Sequence, residues 1–426
     1  MHENLRRVSG LAGLQEAYCQ VRRQSESLCA PLMVEDYVVQ TMPDVSPPKW
    51  HLAHASWFFE TFILTPFVPH YRPFNAQFHQ LFNSYYQGVG TPFPRPQRGL
   101  LSRPSVAEIY RYRNYVDECM GELMRQLDNP EEDPDLHALI ALGLQHEQQH
   151  QELLLTDIKH ILGNNPLAPA YIERRNLDAR AGGVPLQWIK VRGGEAVVGH
   201  DGFGFCFDNE LPSHNVLLNE FLLANRLVTN AEYLQFIADS GYDNPLLWLA
   251  DGWAAVQQHG WKAPLYWEIA DDAWQIFTLE GQKPLAPDEP VCHVSYFEAE
   301  AYATWAGKRL PTEDEWEHAA EAVELMPGNY LESGRFHPQT PPAGDGLLQL
   351  GGDVWEWTQS PYRPYPGYRP LAGAIGEYNG KFMCNQMVLR GGSCATPENH
   401  IRKSYRNFFY PHNRWQFMGI RLAQDA

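Results

Sequence analysis

The stretch Leu144-Gln145-His146-Glu147-Gln148-Gln149-His150-Gln151-Glu152-Leu153-Leu154-Leu155 decides how the first part of the chain folds. It lies within Leu136–Leu162, where apolar residues recur at helical spacing and no proline intervenes, so the segment reads as one long helix. His146 and His150 are four residues apart and share one face of that helix, where two imidazoles can meet one ion. Bundles that carry metals build their sites from side chains on facing helices, so this helix implies partners.

Those partners lie upstream. Helices are expected over Leu11–Leu28, Lys49–Leu64 and Ser105–Leu127, divided by the proline-bearing turns Thr41–Pro48, Pro66–Pro73 and Asn129–Pro134. With the histidine helix they make a four-helix bundle. The gap from Pro66 to Pro104 is too long and too aromatic to be a simple connector, and long ordered loops in compact domains usually serve function. It holds Asn83-Ser84-Tyr85-Tyr86 and then Arg95, Arg98 and Arg103, and it reads as a lid or pocket wall. Guanidinium groups pair bidentately with carboxylates, so Arg95 or Arg98 are the first candidates for holding a substrate carboxylate.

After Gly163-Asn164-Asn165-Pro166 the composition shifts, and beyond Gly182-Gly183-Val184-Pro185 short apolar runs, Trp and Gly take over. Ile189–Gly194 and Ala196–Gly199 read as short strands broken by turns. The chain therefore divides into a bundle (1–165), a linker (166–185) and a second domain (186–426), an α+β arrangement that suits 426 residues. There is no internal repeat and no low-complexity segment. No apolar run reaches the ~18 residues that a bilayer span needs. The 33 Lys+Arg stand against 51 Asp+Glu, a formal net charge of −18, which disfavours nucleic acid and anionic membranes as partners. Met1-His2-Glu3-Asn4-Leu5-Arg6-Arg7 lacks the apolar core of a secretory signal, and the seven scattered cysteines form no CxxC pair, so reduced thiols and a cytoplasmic location are expected.

Read as HExxH, residues 146–150 also fit a zinc protease with Glu147 as general base. The glycine and histidine of the extended metzincin form are absent, since Leu153-Leu154-Leu155-Thr156 follow, and the one distant acid that could complete the site, Glu173, lies past the helix. A better third ligand sits in the second helix, where His51 and His54 are three apart in Trp50-His51-Leu52-Ala53-His54; spacing alone leaves both open. Three imidazoles with no cysteine suit iron, zinc or copper, with open positions for substrates or oxygen.

Ser46-Pro47-Pro48-Lys49-Trp50-His51-Leu52-Ala53-His54, Asn83-Ser84-Tyr85-Tyr86, Arg98-Gly99-Leu100-Leu101-Ser102-Arg103-Pro104 and the HEQQH helix resemble the ergothioneine-biosynthesis sulfoxide synthases, the EgtB family. That resemblance implies a DinB-like bundle. Downstream, Trp305–Glu317, Gly352-Asp353-Val354-Trp355-Glu356-Trp357-Thr358, Leu389-Arg390-Gly391-Gly392-Ser393 and Gly419-Ile420-Arg421-Leu422 resemble the formylglycine-generating-enzyme fold, a C-type-lectin-like scaffold. Formylglycine generation itself is disfavoured: it uses a cysteine pair after RGGS, whereas Cys394 is followed by Ala395-Thr396-Pro397-Glu398-Asn399. Trp355, Glu356, Trp357 and Arg390 are read as core and turn residues.

The resemblance implies that His54, His146 and His150 hold Fe(II), and so selects His54 over His51. It implies that Gln149 contacts trimethylhistidine (hercynine), that Asn407 and Phe408 line the pocket for its quaternary ammonium, where aromatic faces attract cations, and that Tyr85 or Tyr86 supplies a catalytic phenol. Members that use γ-glutamylcysteine carry an acid where this chain has Phe409, so cysteine becomes the expected thiol, because burying an unpaired ammonium is costly. The expected activity is formation of a C–S bond between cysteine and C2 of the hercynine imidazole, with oxidation of the sulfur, in a site between the two domains. Hercynine, cysteine and O2 are the expected partners, and a homo-oligomer is allowed. The rivals are a cysteine–histidine sulfoxide synthase of ovothiol type, a thiol dioxygenase and a non-catalytic lectin-like module.

Overall fold

The computed structural model describes residues 11–126, 133–173 and 182–426. The stretch Met1–Arg7, the end of the expected third helix at Leu127, most of the Asn129–Pro134 turn and residues 174–181 of the expected linker lie outside the described residues.

The first part of the chain runs α1 (Leu11–Cys29), α2 (Pro48–Phe59), the short α3 (Thr65–Phe67) and α4 (Phe78–Leu81), α5 (Val106–Arg125) and α6 (Pro134–Gly163). Local chemistry sets the starts. Pro48 and Pro134 occupy first-turn positions, where the missing N–H costs nothing. The Asp133 carboxylate accepts from the Leu136 N–H at 3.0 Å, and a capping box joins Ser105 to Glu108 at the head of α5. The expected helix over Lys49–Leu64 changes pitch part-way: it is α-helical to Phe59 and π-helical over Glu60–Leu64. Glu60, carried on that π turn, accepts from the hydroxyls of Tyr71 and Tyr112, each at 2.7 Å, so its buried carboxylate is satisfied.

Every residue of α2 is buried, which makes it the central element of the bundle; it packs against both α5 and α6, and α1 packs against α6. Gly143 lets α2 approach α6 closely, because a Cβ there would lie 2.6 Å from Cε1 of the fully buried Phe59 ring. Two distant segments, 201–208 and 369–381, belong to the same compact unit as residues 1–165. No composition shift marks them in the sequence.

The second compact unit comprises 166–200, 209–368 and 382–426. Its strands are β1 (Trp188–Val191), β2 (Gly194–Val198), β3 (His214–Leu218), β4 (Phe221–Ala224), β5 (Trp267–Ala270), β6 (Ala273–Thr278), β7 (Gly281–Pro284), β8 (Trp355–Pro361), β9 (Met387–Arg390), β10 (Asn407–Phe409), β11 (Met418–Gly419) and β12 (Ala423–Asp425). They pair as β1-β4-β12, β10-β9-β8-β11, β2-β3 and β5-β6-β7, with helices α7 (Asn230–Ala238), α8 (Ala250–His259), α9 (Tyr296–Trp305) and α10 (Glu313–Ala320) beside them. Trp355, Trp357, Glu356 and Arg390 are all buried. Glu356 accepts from Arg421 Nε at 2.8 Å and from Trp316 Nε1 at 2.8 Å, and Arg390 pairs with Glu317. These are scaffold roles, as the sequence suggests. Gly391 has φ +99°, and a Cβ there would meet the Leu350 carbonyl at 2.7 Å, which explains a glycine in the RGGS motif.

Gly143→Val tests the close approach of α2 to α6. The substitution forces the Phe59 ring to move and is expected to destabilise the chain by about 1–3 kcal/mol, read as a lower midpoint in chemical denaturation; an unchanged midpoint would show that the interface has room.

Candidate metal centre

The bundle brings His54 from α2 together with His146 and His150 from α6, with ligand atoms within 4.8 Å of one another. Their ring centroids are 4.7–5.0 Å apart. Among the described residues this is the group of His, Cys, Asp and Glu side chains placed to hold an ion. His51, the other candidate on α2, does not join it. Its Nδ1 lies 2.9 Å from His150 Nδ1 and its Nε2 lies 2.9 Å from Asp157 Oδ2, so it stands behind His150.

Hydrogen bonds fix which nitrogens face the centre. His54 Nδ1 lies 2.6 Å from the Phe82 carbonyl and must donate to it, which leaves Nε2 as the lone-pair atom. That Nε2 and both ring nitrogens of His146 are buried with no hydrogen-bond partner. A buried lone pair on His54 Nε2, beside a His146 ring that has no hydrogen-bond partner and can turn one lone-pair nitrogen to the same point, is costly unless something cationic takes it, so the donor set fits a metal ion. Burial also depresses all three pKa values, to about 3 for His146, so the imidazoles stay neutral and able to ligate.

The loop after α4 supplies the rest of the wall. Asn83 donates from Nδ2 to the Tyr86 and Gly90 carbonyls, each at 3.0 Å, and its Oδ1 accepts from the Tyr86 N–H at 3.0 Å. This side-chain turn sets Tyr85 and Tyr86 side by side, rings 4.5 Å apart and hydroxyls 3.4 Å apart. Tyr378, from segment 369–381, brings a third phenol: its ring is 5.9 Å from Tyr85 and 6.3 Å from His146, and its hydroxyl donates to Gln149 Oε1. Tyr86, His146 and Tyr378 line one pocket together with Phe58, Phe207, Asp208 and Asn379.

The arginines separate. Arg98 is only 4% exposed; its guanidinium stacks 3.3 Å over the Trp50 ring, and Trp50 in turn stacks on His54 at 4.6 Å. Nη1 donates to Ser46 Oγ at 2.9 Å while Nε has no partner, and burial, followed by the charge of Arg95, pulls its pKa well down. Arg95 is exposed and held by Asp44, and Arg103 is exposed and donates to the Ser102 carbonyl.

Family models match both parts of the chain. The DinB superfamily matches residues 17–154, and the sulfatase-modifying factor enzyme 1-like domain matches 179–342 and 333–426. The chain is 35% identical over 416 residues to a hercynine oxygenase of Mycolicibacterium smegmatis, covering 91% of this chain and 93% of that protein. It is 33% identical over 410 residues to the hercynine oxygenase of Mycobacterium tuberculosis, covering 90% and 92%. The chain belongs to the hercynine oxygenase family. It is an oxidoreductase of the ergothioneine-pathway type, with an N-terminal DinB helical domain and a C-terminal sulfatase-modifying-factor-like domain. A formylglycine-generating enzyme of Streptomyces coelicolor is 32% identical over 295 residues, covering 56% of this chain and 89% of that protein. The C-terminal scaffold is thus shared with an enzyme of a different name.

Within this hercynine oxygenase family member, Glu147 is not placed as a protease base. Its carboxylate accepts from Arg22 Nη1 at 2.9 Å, Arg113 Nη2 at 2.6 Å and Ser25 Oγ at 2.7 Å. Burial raises its pKa, but Arg113 and Arg22 overcome that and hold it at about 2. Asn407, Phe408 and Phe409 form β10 in the second unit, where Phe408 stacks on Tyr362 at 4.1 Å and Phe409 meets Trp415 edge-on at 5.7 Å. Sequence reasoning missed Tyr378, Phe207, Asp208 and Asn379. Their signal is spatial: two segments far apart in sequence meet where the Asn379 amide donates to Asp208 Oδ1 at 2.6 Å. All seven cysteines are free thiols, and none of the described helices is long and apolar enough to cross a membrane.

Glu147→Gln removes the charge between two buried guanidinium groups and is expected to cost about 3–5 kcal/mol. In the unaltered chain the Glu147 contribution is full above pH 4.5, its ordinary value, and is lost as pH falls toward about 2. Denaturation midpoints across that range check both statements, and equal stability of the Gln variant would remove the clamp.

Proposed function

We propose that the chain is an Fe(II)- and O2-dependent hercynine oxygenase that joins the sulfur of cysteine to C2 of the hercynine imidazole and leaves that sulfur as a sulfoxide. The balance closes. One C–H and one S–H bond break, a C–S and an S=O bond form, and the second oxygen atom leaves as water. The observation that carries this reading is a neutral three-imidazole cluster one of whose rings, His146, lines a cavity with the phenols of Tyr86 and Tyr378. His54, His146 and His150 would hold the iron, which when bound supplies oxygen activation.

The remaining work falls to the chain. Arg98 orients the thiol substrate: a buried guanidinium with an unpartnered Nε gains most from a carboxylate brought to it. Tyr85 and Tyr86, whose pKa values burial raises, stay protonated and can deliver a proton as oxygen is reduced. Gln149, on the ligand face of the histidine helix and accepting from the Tyr378 hydroxyl at its Oε1, contacts the histidine-derived substrate. Phe408 and Asn407 recognise the trimethylammonium group, and Phe409, which packs on Trp415 and carries no charge, favours cysteine over γ-glutamylcysteine.

Aerobic turnover of iron-loaded protein with hercynine and cysteine, with products read by mass spectrometry, should give the hercynyl-cysteine sulfoxide. Product with γ-glutamylcysteine alone refutes the Phe409 argument, and coupling of unmethylated histidine instead of hercynine favours the ovothiol-type reading. At least one of Tyr85→Phe and Tyr86→Phe should divert turnover toward cysteine sulfinate; if both keep the original product ratio, the phenols are not the proton donors. Arg98→Met should raise the KM for cysteine by about 10–100-fold, the size of a lost charged hydrogen bond, with the KM for hercynine little changed.

A further inference from the structure

We infer that His51 and Asp157 form a relay that fixes the tautomer and orientation of His150. The inference rests on the reading of His54, His146 and His150 as a metal centre, and it gives a role to two buried side chains that the proposed chemistry leaves unused. His51 is 3% exposed and Asp157 2%. His51 sits on α2, and Asp157 lies two helical turns beyond His150 on α6, so the relay spans the helix pair that carries the ligands.

With His51 neutral, its partners set where the protons lie. The Asp157 carboxylate is acceptor-only; besides His51 it accepts from the Ser46 N–H at 2.8 Å. His51 Nε2, 2.9 Å from the same oxygen, therefore carries the proton and donates. His51 Nδ1 is left with a lone pair, 2.9 Å from His150 Nδ1, and accepts from it. His150 then has its proton on Nδ1 and its lone pair on Nε2, the nitrogen that an ion can reach. His54 arrives at the same state by a shorter route, with Nδ1 donating to the Phe82 carbonyl. Partners of this kind behind a ligating histidine orient the ring and raise its basicity. The reverse polarity, with His51 donating from Nδ1, would place the His150 proton on Nε2 and close the site to a cation.

Asp157→Leu is the sharpest variant, because it removes the acceptor that holds the His51 proton on Nε2 while keeping a side chain of similar size. Metal-free protein titrated with Co(II), followed by absorption and calorimetry, should bind about 10–100-fold more weakly in Asp157→Leu and in His51→Phe. His51→Gln, whose amide can donate to Asp157 and whose carbonyl can accept from His150, should retain more affinity than either. Unfolding temperatures of the metal-free variants are read alongside. Variants that unfold earlier yet bind Co(II) as tightly as the unaltered chain overturn the relay and leave only a packing role. Unaltered protein that binds no Co(II) overturns the metal centre itself, which is a separate failure.

Discussion

The bundle depends on the clamp around Glu147. A carboxylate on α6 is buried between a guanidinium from α1 and another from α5, so three helices are tied at one charged point where no water can replace a missing partner. Such a cluster does not add much net stability, since desolvation consumes most of the attraction. It does define rotation. With Glu147 turned toward Arg22 and Arg113, and Gln151 one turn on donating to the Val21 carbonyl at 2.9 Å, α6 can present only its other face to α2, the face that bears His146, Gln149 and His150. The histidines converge because their neighbour is held elsewhere.

The same logic runs through the site. Most polar atoms around the centre are already assigned to a fixed partner, and the few left over define what it can bind. The Phe82 carbonyl takes one nitrogen of His54, the Asn83 turn follows directly and sets the tyrosines, and the Trp50 ring lies between His54 and Arg98. Ser46 joins the two halves: its N–H binds Asp157, which stands behind His150, while its hydroxyl accepts from Arg98. A carboxylate drawn to Arg98 would therefore act on the same short hydrogen-bonded segment that supports a ligand.

Much of this was legible in the sequence, and the boundary of legibility has physical causes. The histidine helix and its neighbours follow from 3.6-residue periodicity and capping residues, which are local. His51 and His54 could not be separated by spacing, because both lie on a helix buried all round; only hydrogen bonds to Asp157 and Phe82, 106 and 28 residues away, give them different work. Arg95 and Arg98 look alike in a string, yet a 3-10 turn puts one in solvent and the other over Trp50. Tyr378 was out of reach because it enters the bundle unit from a segment with no marker of its own.

The C-terminal half shows why scaffold and chemistry must be argued apart. Its buried pairs, Glu356 with Arg421 and Glu317 with Arg390, lock strands and helices of a fold shared with the Streptomyces coelicolor formylglycine-generating enzyme. Cys394, next to the RGGS turn, is fully buried, and its N–H is bound to the Asp353 carbonyl at 3.0 Å. A thiol packed inside that turn, with no second cysteine after it, is structural. The three-imidazole cluster, the phenols and the buried arginine all lie in the compact unit built on residues 1–165, 201–208 and 369–381, so the C-terminal scaffold that two enzyme families share does not by itself identify a chemistry.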